Sequence, residues 1–291
     1  MRLHPDEIAR RAEMLAARLA DCDLCPRRCG ADRTAGRLGR CGTGARARVS
    51  AAFPHFGEEP VLVGRVGSGT VFLTGCSLHC AFCQNHDVSH GRDGREADAR
   101  EIAGLMLGLA KSGCVNVNLV TPSHVVPQVL SALAIAARAG LDLPVVWNSS
   151  GYESVETLAV LDGIADVFMP DFKSASAEAC AAWMDAPDYP EVATAAVREM
   201  RRQVGDLAVD ADGVARRGLL VRHLVMPGMT DDAVAVMRIL ADLCPGCAVN
   251  VMDQYRPLGS APGMPGIDRR PTAAEVATAK AAALAAGLRV L

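Results

Sequence analysis

VFLTGCSLHCAFCQN, running from Val71 to Asn85, is the stretch that decides the architecture. Its first five residues form a short apolar run with the length and composition of a buried strand. Directly behind them, Cys76, Cys80 and Cys83 stand at C-x3-C-x2-C spacing. Three thiolates on one short loop can hold three irons of a four-iron cluster and leave the fourth iron without a protein ligand. An open iron is where a substrate or cofactor binds, by the logic that separates open catalytic metal sites from closed structural ones. Zinc is the other reading of the loop, and it needs a fourth ligand such as His79 or His86.

Outward from this loop, short apolar runs of strand length alternate with longer helical patterns. The strand candidates are residues 71–75, 115–120, 144–148, 166–170, 218–225 and 248–252, and the helical patterns fall near 98–112, 125–139, 153–162, 190–204, 231–243 and 272–286. Six βα units in a row argue for a parallel sheet with right-handed crossovers and helices outside. The polar residues choose between an open doubly wound sheet and a partial barrel, because barrel enzymes gather their chemistry at the C-terminal ends of the strands. Cys76 follows the first strand, Thr121, Ser123 and His124 the second, Asn148, Ser149 and Ser150 the third, and Asp171 and Lys173 the fourth. Arg222 lies in the fifth, which runs into Met226-Pro227-Gly228, and Gln254, Tyr255 and Arg256 follow the sixth. The expected fold is therefore α/β, a (βα)6 partial TIM barrel over residues 70–291 behind a cysteine-rich extension over residues 1–69.

The extension opens on a charged helical pattern and then presents Cys22, Cys25, Cys29 and Cys41. Four thiolates close a tetrahedral site, which reads as zinc or as a fully ligated auxiliary iron-sulfur cluster. Arg27, Arg28, Arg33, Arg37, Arg40, Arg46 and Arg48 are interleaved with them against the single acid Asp32. They read as a solvated face around a metal-thiolate centre, or as a dock for an anionic substrate or a partner protein. The rest of the extension reads as irregular, with short β-prone runs such as residues 61–63. His55, Glu58 and Glu59 either turn the chain there or close over the site.

The chain has 291 residues, half of them hydrophobic and 22% charged, with a net charge of −3. These values exclude disorder and give no global nucleic-acid footprint, and the 4% aromatic content argues against base stacking. No stretch approaches the ~18 consecutive apolar residues of a membrane span, and the N-terminus lacks a signal-peptide core. Eleven cysteines without a secretion signal suggest a cytoplasmic protein that uses thiols as ligands and not as disulfides. Cys244 and Cys247 flank a turn and read as incidental, and Trp147 and Trp183 as packing residues.

The three-cysteine loop resembles the signature of the radical SAM superfamily, with Phe82 at the aromatic position before the last cysteine. HFGEEP (55–60), NLVTPSH (118–124), MPDFK (169–173), APDYPEV (186–192), RHLVMPG (222–228), DQYRP (253–257) and CDLCPRRCG (22–30) extend the resemblance to radical SAM proteins like pyruvate formate-lyase-activating enzyme. It implies that Cys76, Cys80 and Cys83 bind a 4Fe-4S cluster whose open iron chelates S-adenosylmethionine (SAM). It also implies reductive cleavage to a 5′-deoxyadenosyl radical, with electrons from a donor such as flavodoxin or ferredoxin. Phe82, Asn85, Thr121, Ser123, His124, Asn148, Ser149, Ser150 and Arg222 are the implied SAM contacts, with Arg222 on the SAM carboxylate. Asp171 and Lys173 are catalytic candidates that steer protons or bind substrate. Thr121 to His124 stand where glycyl-radical activases carry a GGE-type motif. A small-molecule or peptide substrate thus competes with a partner glycyl radical enzyme, and a non-catalytic iron-sulfur or zinc module is the reading from another class.

Overall fold

The computed structural model describes residues 3–90 and 93–291. Its strands are β1 (Ala47–His55), β2 (Ser68–Leu73), β3 (Arg95–Ala97), β4 (Val117–Val120), β5 (Val145–Ser149), β6 (Val167–Pro170), β7 (Ala208–Val209), β8 (Ala215–Leu224), β9 (Ala248–Met252) and β10 (Arg289–Val290). The helices are α1 (Pro5–Ala16), α2 (Pro60–Val63), α3 (His86–Ser89), α4 (Ala99–Lys111), α5 (Val126–Arg138), α6 (Val155–Val160), α7 (Ala177–Met184), α8 (Tyr189–Val204), α9 (Thr230–Leu243) and α10 (Ala273–Ala285).

Six strands pair in parallel in the order β2-β4-β5-β6-β8-β9, and β10 adds in parallel beside β9. On the other side β1 pairs antiparallel with β2, and β3 with β1. The order runs from β10 to β3 without closing. This is the partial barrel expected from six βα units. All six strand candidates and all six helical patterns form, with ends shifted by a few residues. Their caps show why: Asp98 and Glu101 make a reciprocal capping box at α4, as Thr272 and Glu275 do at α10.

The chain departs from expectation in the first seventy residues. Residues 61–63 are helical, because Pro60 at the first helical position removes a donor that a strand would need and presets φ for a helical turn. The nine-residue strand β1 lies in the stretch read as irregular. Leu62 of α2 packs with Val146, Val167, Met169, Leu220 and Ala248. Val146 pairs with Val167, and Leu220 with Ala248, so these side chains share the sheet face opposite the one that carries Trp147 and Phe168. The helices cover the latter face, and α2 fills the former. It is tied to two separate parts of the parallel array, since Asn116 Nδ2, just before β4, donates to the Leu62 carbonyl (2.8 Å) and Asn250 Nδ2 on β9 donates to Glu59 Oε1 (2.9 Å).

At the N-terminus, α1 presents Ile8, Ala12 and Leu15 as one buried stripe and packs on α5. Arg11 secures it by donating to the Val160 and Asp162 carbonyls. Among the described residues no helix is long and apolar enough to cross a membrane.

Candidate active site

The three-cysteine loop leaves β2 through a turn that requires glycine. Gly75 has φ +95, and a Cβ there would stand 2.7 Å from the Cys41 carbonyl and 2.7 Å from Thr43 Oγ1. The loop is then braced from several sides. Ala81 N donates to the Trp183 carbonyl (2.7 Å), Ser260 N donates to the Ala81 carbonyl (2.8 Å), and Cys83 N donates to the Cys80 carbonyl (3.1 Å). Phe82 is buried edge-on to Tyr255, with ring centroids 6.1 Å apart. Cys83 Sγ lies 3.1 Å from Ser89 Oγ. All eleven cysteines are free.

Burial pushes the Cys76 thiol well above its ordinary range and Cys80 up to about 11, with Lys173 opposing the rise in both. Metal coordination reverses that outcome, since a ligating thiol is deprotonated outright. Among the described residues, no three His, Cys, Asp or Glu side chains are grouped tightly enough to hold a single metal ion. A four-iron cluster asks for something different, because each thiolate takes its own iron. Three free thiols on one loop, beside an open cavity, suit that group better than zinc.

The cavity beside the loop is lined by Cys76, Cys80, Phe82, Cys83, Asn85, Thr121, Asn148, Ser149, Ser150, Asp171, Lys173 and Arg222, and also by Gln84, Ser89 and Gln254. Most of the residues expected on the rim thus meet in one place. Ser123 and His124 do not line it. Ser123 is buried and donates to Glu153 Oε1 (2.7 Å), and His124 Nε2 is paired with the Thr74 carbonyl (2.8 Å). Tyr255 is also withdrawn, with its hydroxyl on the Ile267 carbonyl.

The charged floor is internally paired. Arg222 Nε donates to Asp171 Oδ1 (2.9 Å), its Nη2 donates to Asn148 Oδ1 (2.7 Å), and its Nη1 lies 3.6 Å from Glu58. Lys173 Nζ donates to the other Asp171 oxygen (2.6 Å). Burial acts to raise the Asp171 pKa, but Lys173 and Arg222 outweigh it and hold the carboxyl below its usual range. Burial raises Glu58, against the pull of Arg222. The 55–60 segment therefore reaches the floor of the site and supplies one of its counter-charges.

Two residues were not singled out from sequence. The Tyr189 hydroxyl contacts the Ser150 carbonyl (2.8 Å) and the Asp171 carbonyl (3.0 Å) and accepts from Lys173 N (2.9 Å), so it pins the ends of β5 and β6 together. Buried Glu153 accepts from Ser123 and from Trp147 Nε1 (3.0 Å), which fixes the backing of the Asn148 to Ser150 turn. Tyr189 sits inside the familiar APDYPEV run, and Glu153 follows a strand end, but neither shows a partner until the chain is folded. Thr121 lines the cavity at φ +58, a conformation costly for a β-branched residue and typical of functional turns.

The sequence model of the Radical SAM superfamily matches residues 70–240, more than half of the chain. The chain belongs to the radical SAM superfamily. An uncharacterized protein of Methanocaldococcus jannaschii is 31% identical over 264 residues, which is 88% of this chain and 72% of that protein. Among solved structures, a radical SAM methyltransferase from Sphaerobacter thermophilus superposes with a TM-score of 0.55 at 17% identity, over 76% of this chain and 65% of that one. The radical SAM methyltransferase TsrM from Kitasatospora setae, with cobalamin and a [4Fe-4S] cluster bound, gives a TM-score of 0.50 at 16% identity, over 69% and 39% respectively. At these identities the likeness shows the fold, and the chain spans under two thirds of either methyltransferase. Membership in the superfamily implies a radical SAM enzyme with a 4Fe-4S cluster and SAM. None of these relatives supports activation of a glycyl radical enzyme.

Proposed function

We propose that this radical SAM enzyme initiates hydrogen abstraction from a small-molecule or peptide substrate admitted to the cavity at the strand ends. The observation that carries the reading is the meeting of three free thiols with the polar ends of β4, β5 and β6 around one open cavity. Cys76, Cys80 and Cys83 are the residues that would hold the cluster, and the carbonyls and hydroxyls at Thr121 and Asn148 to Ser150 would receive the SAM ammonium. When bound, cluster and SAM supply one-electron cleavage of the sulfonium to methionine and a 5′-deoxyadenosyl radical, with the electron drawn from a reductant such as flavodoxin or ferredoxin.

The protein's own part is electrostatic and steric. Arg222 has each guanidinium nitrogen already facing Asp171, Asn148 or Glu58, so its role in this reading is to hold Asp171 in place. Lys173 gives Asp171 only one of its three ammonium hydrogens, which leaves it to meet a carboxylate in the cavity. Phe82, packed on Tyr255, shields the loop from water.

The test is anaerobic. The protein is reconstituted with iron and sulfide, given SAM and a strong reductant, and 5′-deoxyadenosine is quantified beside a Cys83→Ala control. Product from the parent chain and none from the control is the expected result. A fully loaded four-iron cluster with no product above the control, across added substrates, would return the chain to the class of non-catalytic electron carriers.

A further inference from the structure

The cysteine-rich extension contains a charge that nothing in its surroundings balances. Arg33 is 1% exposed. Its Nε donates to the Gly44 carbonyl (3.0 Å) and its Nη1 to the His124 carbonyl (2.8 Å), while Nη1 also faces Cys22 Sγ at 3.5 Å. Its Nη2 is buried without any partner. Among the described residues no carboxylate pairs with it; the acidic groups turned toward it are the thiols of Cys22 and Cys41. A guanidinium that has left water needs a counter-anion, and carbonyl dipoles alone do not supply one.

The four cysteines are arranged to provide that anion. Cys22, Cys25 and Cys41 are buried and Cys29 is at the surface. Two tight turns hold them, with Arg28 N on the Cys25 carbonyl (3.0 Å), Gly30 N on the Cys22 carbonyl (3.1 Å) and Gly42 N on the Gly39 carbonyl (2.9 Å). Arg28 and Gly30 both take positive φ, at 37 and 63. Gly39 shows that two of the sulfurs converge, since a Cβ there would stand 3.2 Å from Cys41 Sγ and 3.6 Å from Cys29 Sγ. A side chain at 39 would press on Cys41 Sγ and touch Cys29 Sγ.

We infer that Cys22, Cys25, Cys29 and Cys41 close around a four-iron cluster, each thiolate on its own iron, with buried Arg33 as its counter-charge, and that this centre buttresses the loop of Cys76, Cys80 and Cys83. Four thiolates around a four-iron cluster core of about two positive charges carry about two net negative charges, and no three of these side chains are grouped tightly enough for a single zinc ion. That charge answers Arg33, and metal counting distinguishes the cluster from a single zinc ion. The mechanical link is direct. The Cys41 carbonyl and Thr43 abut Gly75, just before Cys76. Arg33 holds the His124 carbonyl while the His124 ring holds the Thr74 carbonyl. Arg27 donates to the carbonyls of Ser77 (2.9 Å), Met184 (3.0 Å) and Asp185.

The experiment removes the other metal first. Full-length protein carrying Cys76→Ser, Cys80→Ser and Cys83→Ser is purified anaerobically, and zinc, iron and acid-labile sulfide are counted per folded chain. The expected result is about four irons with matching sulfide, lost when Cys25→Ser and Cys29→Ser are added. A folded triple variant that holds no iron, or that holds one zinc in its place, overturns the proposal. Arg33→Met in the same background should shorten the survival of the metal against a chelator by about tenfold, as loss of an outer contact to a metal ligand does, with Arg33→Lys restoring part of it. If Arg33→Met keeps its metal as long as the parent, the counter-charge role is wrong even where the centre exists. The test needs no catalysis, so it stands or falls apart from the proposed reaction.

Discussion

The two cysteine groups lie against each other across Gly75 yet are ordered by different means. The three-cysteine loop rises from a strand embedded in a parallel sheet, and the cavity it faces settles its own charges through Asp171, Lys173, Arg222 and Glu58. The four-cysteine group occupies the span between Asp21 and Ala47, which holds no helix or strand, and among the described residues no carboxylate pairs with its buried arginine. A site whose scaffold is complete and whose charge is balanced can leave a metal position open for a cofactor. If the inferred centre is present, a site without a scaffold draws its order from the ligand it closes on. The comparison predicts opposite responses when either side is disturbed.

The largest response is expected at the loop. Cys83→Ala removes one of three cluster ligands and should lower 5′-deoxyadenosine formation at least about a thousandfold, some 4 kcal/mol on the barrier, while circular dichroism stays that of the parent. Cys29→Ala should do the reverse, lowering the thermal midpoint and retaining measurable product. Equal losses of activity with equal folds would erase the distinction drawn here.

Next comes the charge balance of the cavity. Asp171→Asn keeps the shape of the side chain but leaves Lys173 without its partner and Arg222 with Glu58 and Glu59 as its remaining counter-charges. Breaking a buried pair from one side costs about 3–5 kcal/mol, and the residual exposure of these groups argues for the lower end. Urea unfolding should show it as a shifted midpoint with an unchanged slope. A midpoint within error of the parent would mean that water or Glu58 already carries the balance.

Gly75→Ala strikes the contact between the two regions. The added methyl meets two oxygens at 2.7 Å in a backbone conformation unsuited to alanine, so a loss of about 2–3 kcal/mol is expected. Because the clash presses on Cys41 and Cys76 together, iron loading of the three-cysteine loop should fall with stability. Loss of stability with full loading would show that the groups are neighbours without being coupled.

Legibility in the sequence followed the same division. The parallel strands were readable because each is a short apolar run punctuated by polar residues at one end, a pattern that buried strands alone dictate. The rim residues were readable because strand ends converge in a barrel whatever the loops do. The first seventy residues were harder, since β1 is half-exposed and lacks strict alternation, and Pro60 turned an apparent β run into helix. The arginines there read from sequence as a solvated face or as a dock for an anion or a partner, but Arg33 is buried and Arg27 is a clamp, because turns set by glycine direct side chains inward with no periodicity to betray them. Glu153 and Tyr189 escaped notice for a related reason: what makes them matter is a partner dozens of residues away.

The smallest effect is the most local, at His124, the residue that joins the two regions. Burial holds its imidazole pKa down to about 4, with the Arg33 charge adding to the depression and the bonds to Thr74 and Thr121 opposing it. An unfolded histidine titrates near 6.5, so between these values the unfolded chain binds a proton that the folded chain refuses. His124 therefore contributes stability that is fully present above pH 6.5 and is lost as the pH falls toward 4. From pH 6.5 to 5.5 its share of the loss is about 1 kcal/mol. Other buried histidines, such as His223, act in the same direction, so the quantity to measure is the difference in urea-unfolding free energy between the parent and His124→Gln at each pH. Glutamine can still donate to the Thr74 carbonyl but has no proton to gain, so its curve should fall less steeply by that amount. Parallel curves would place His124 in contact with water, and the joint between the cysteine groups would then be looser than its hydrogen bonds imply.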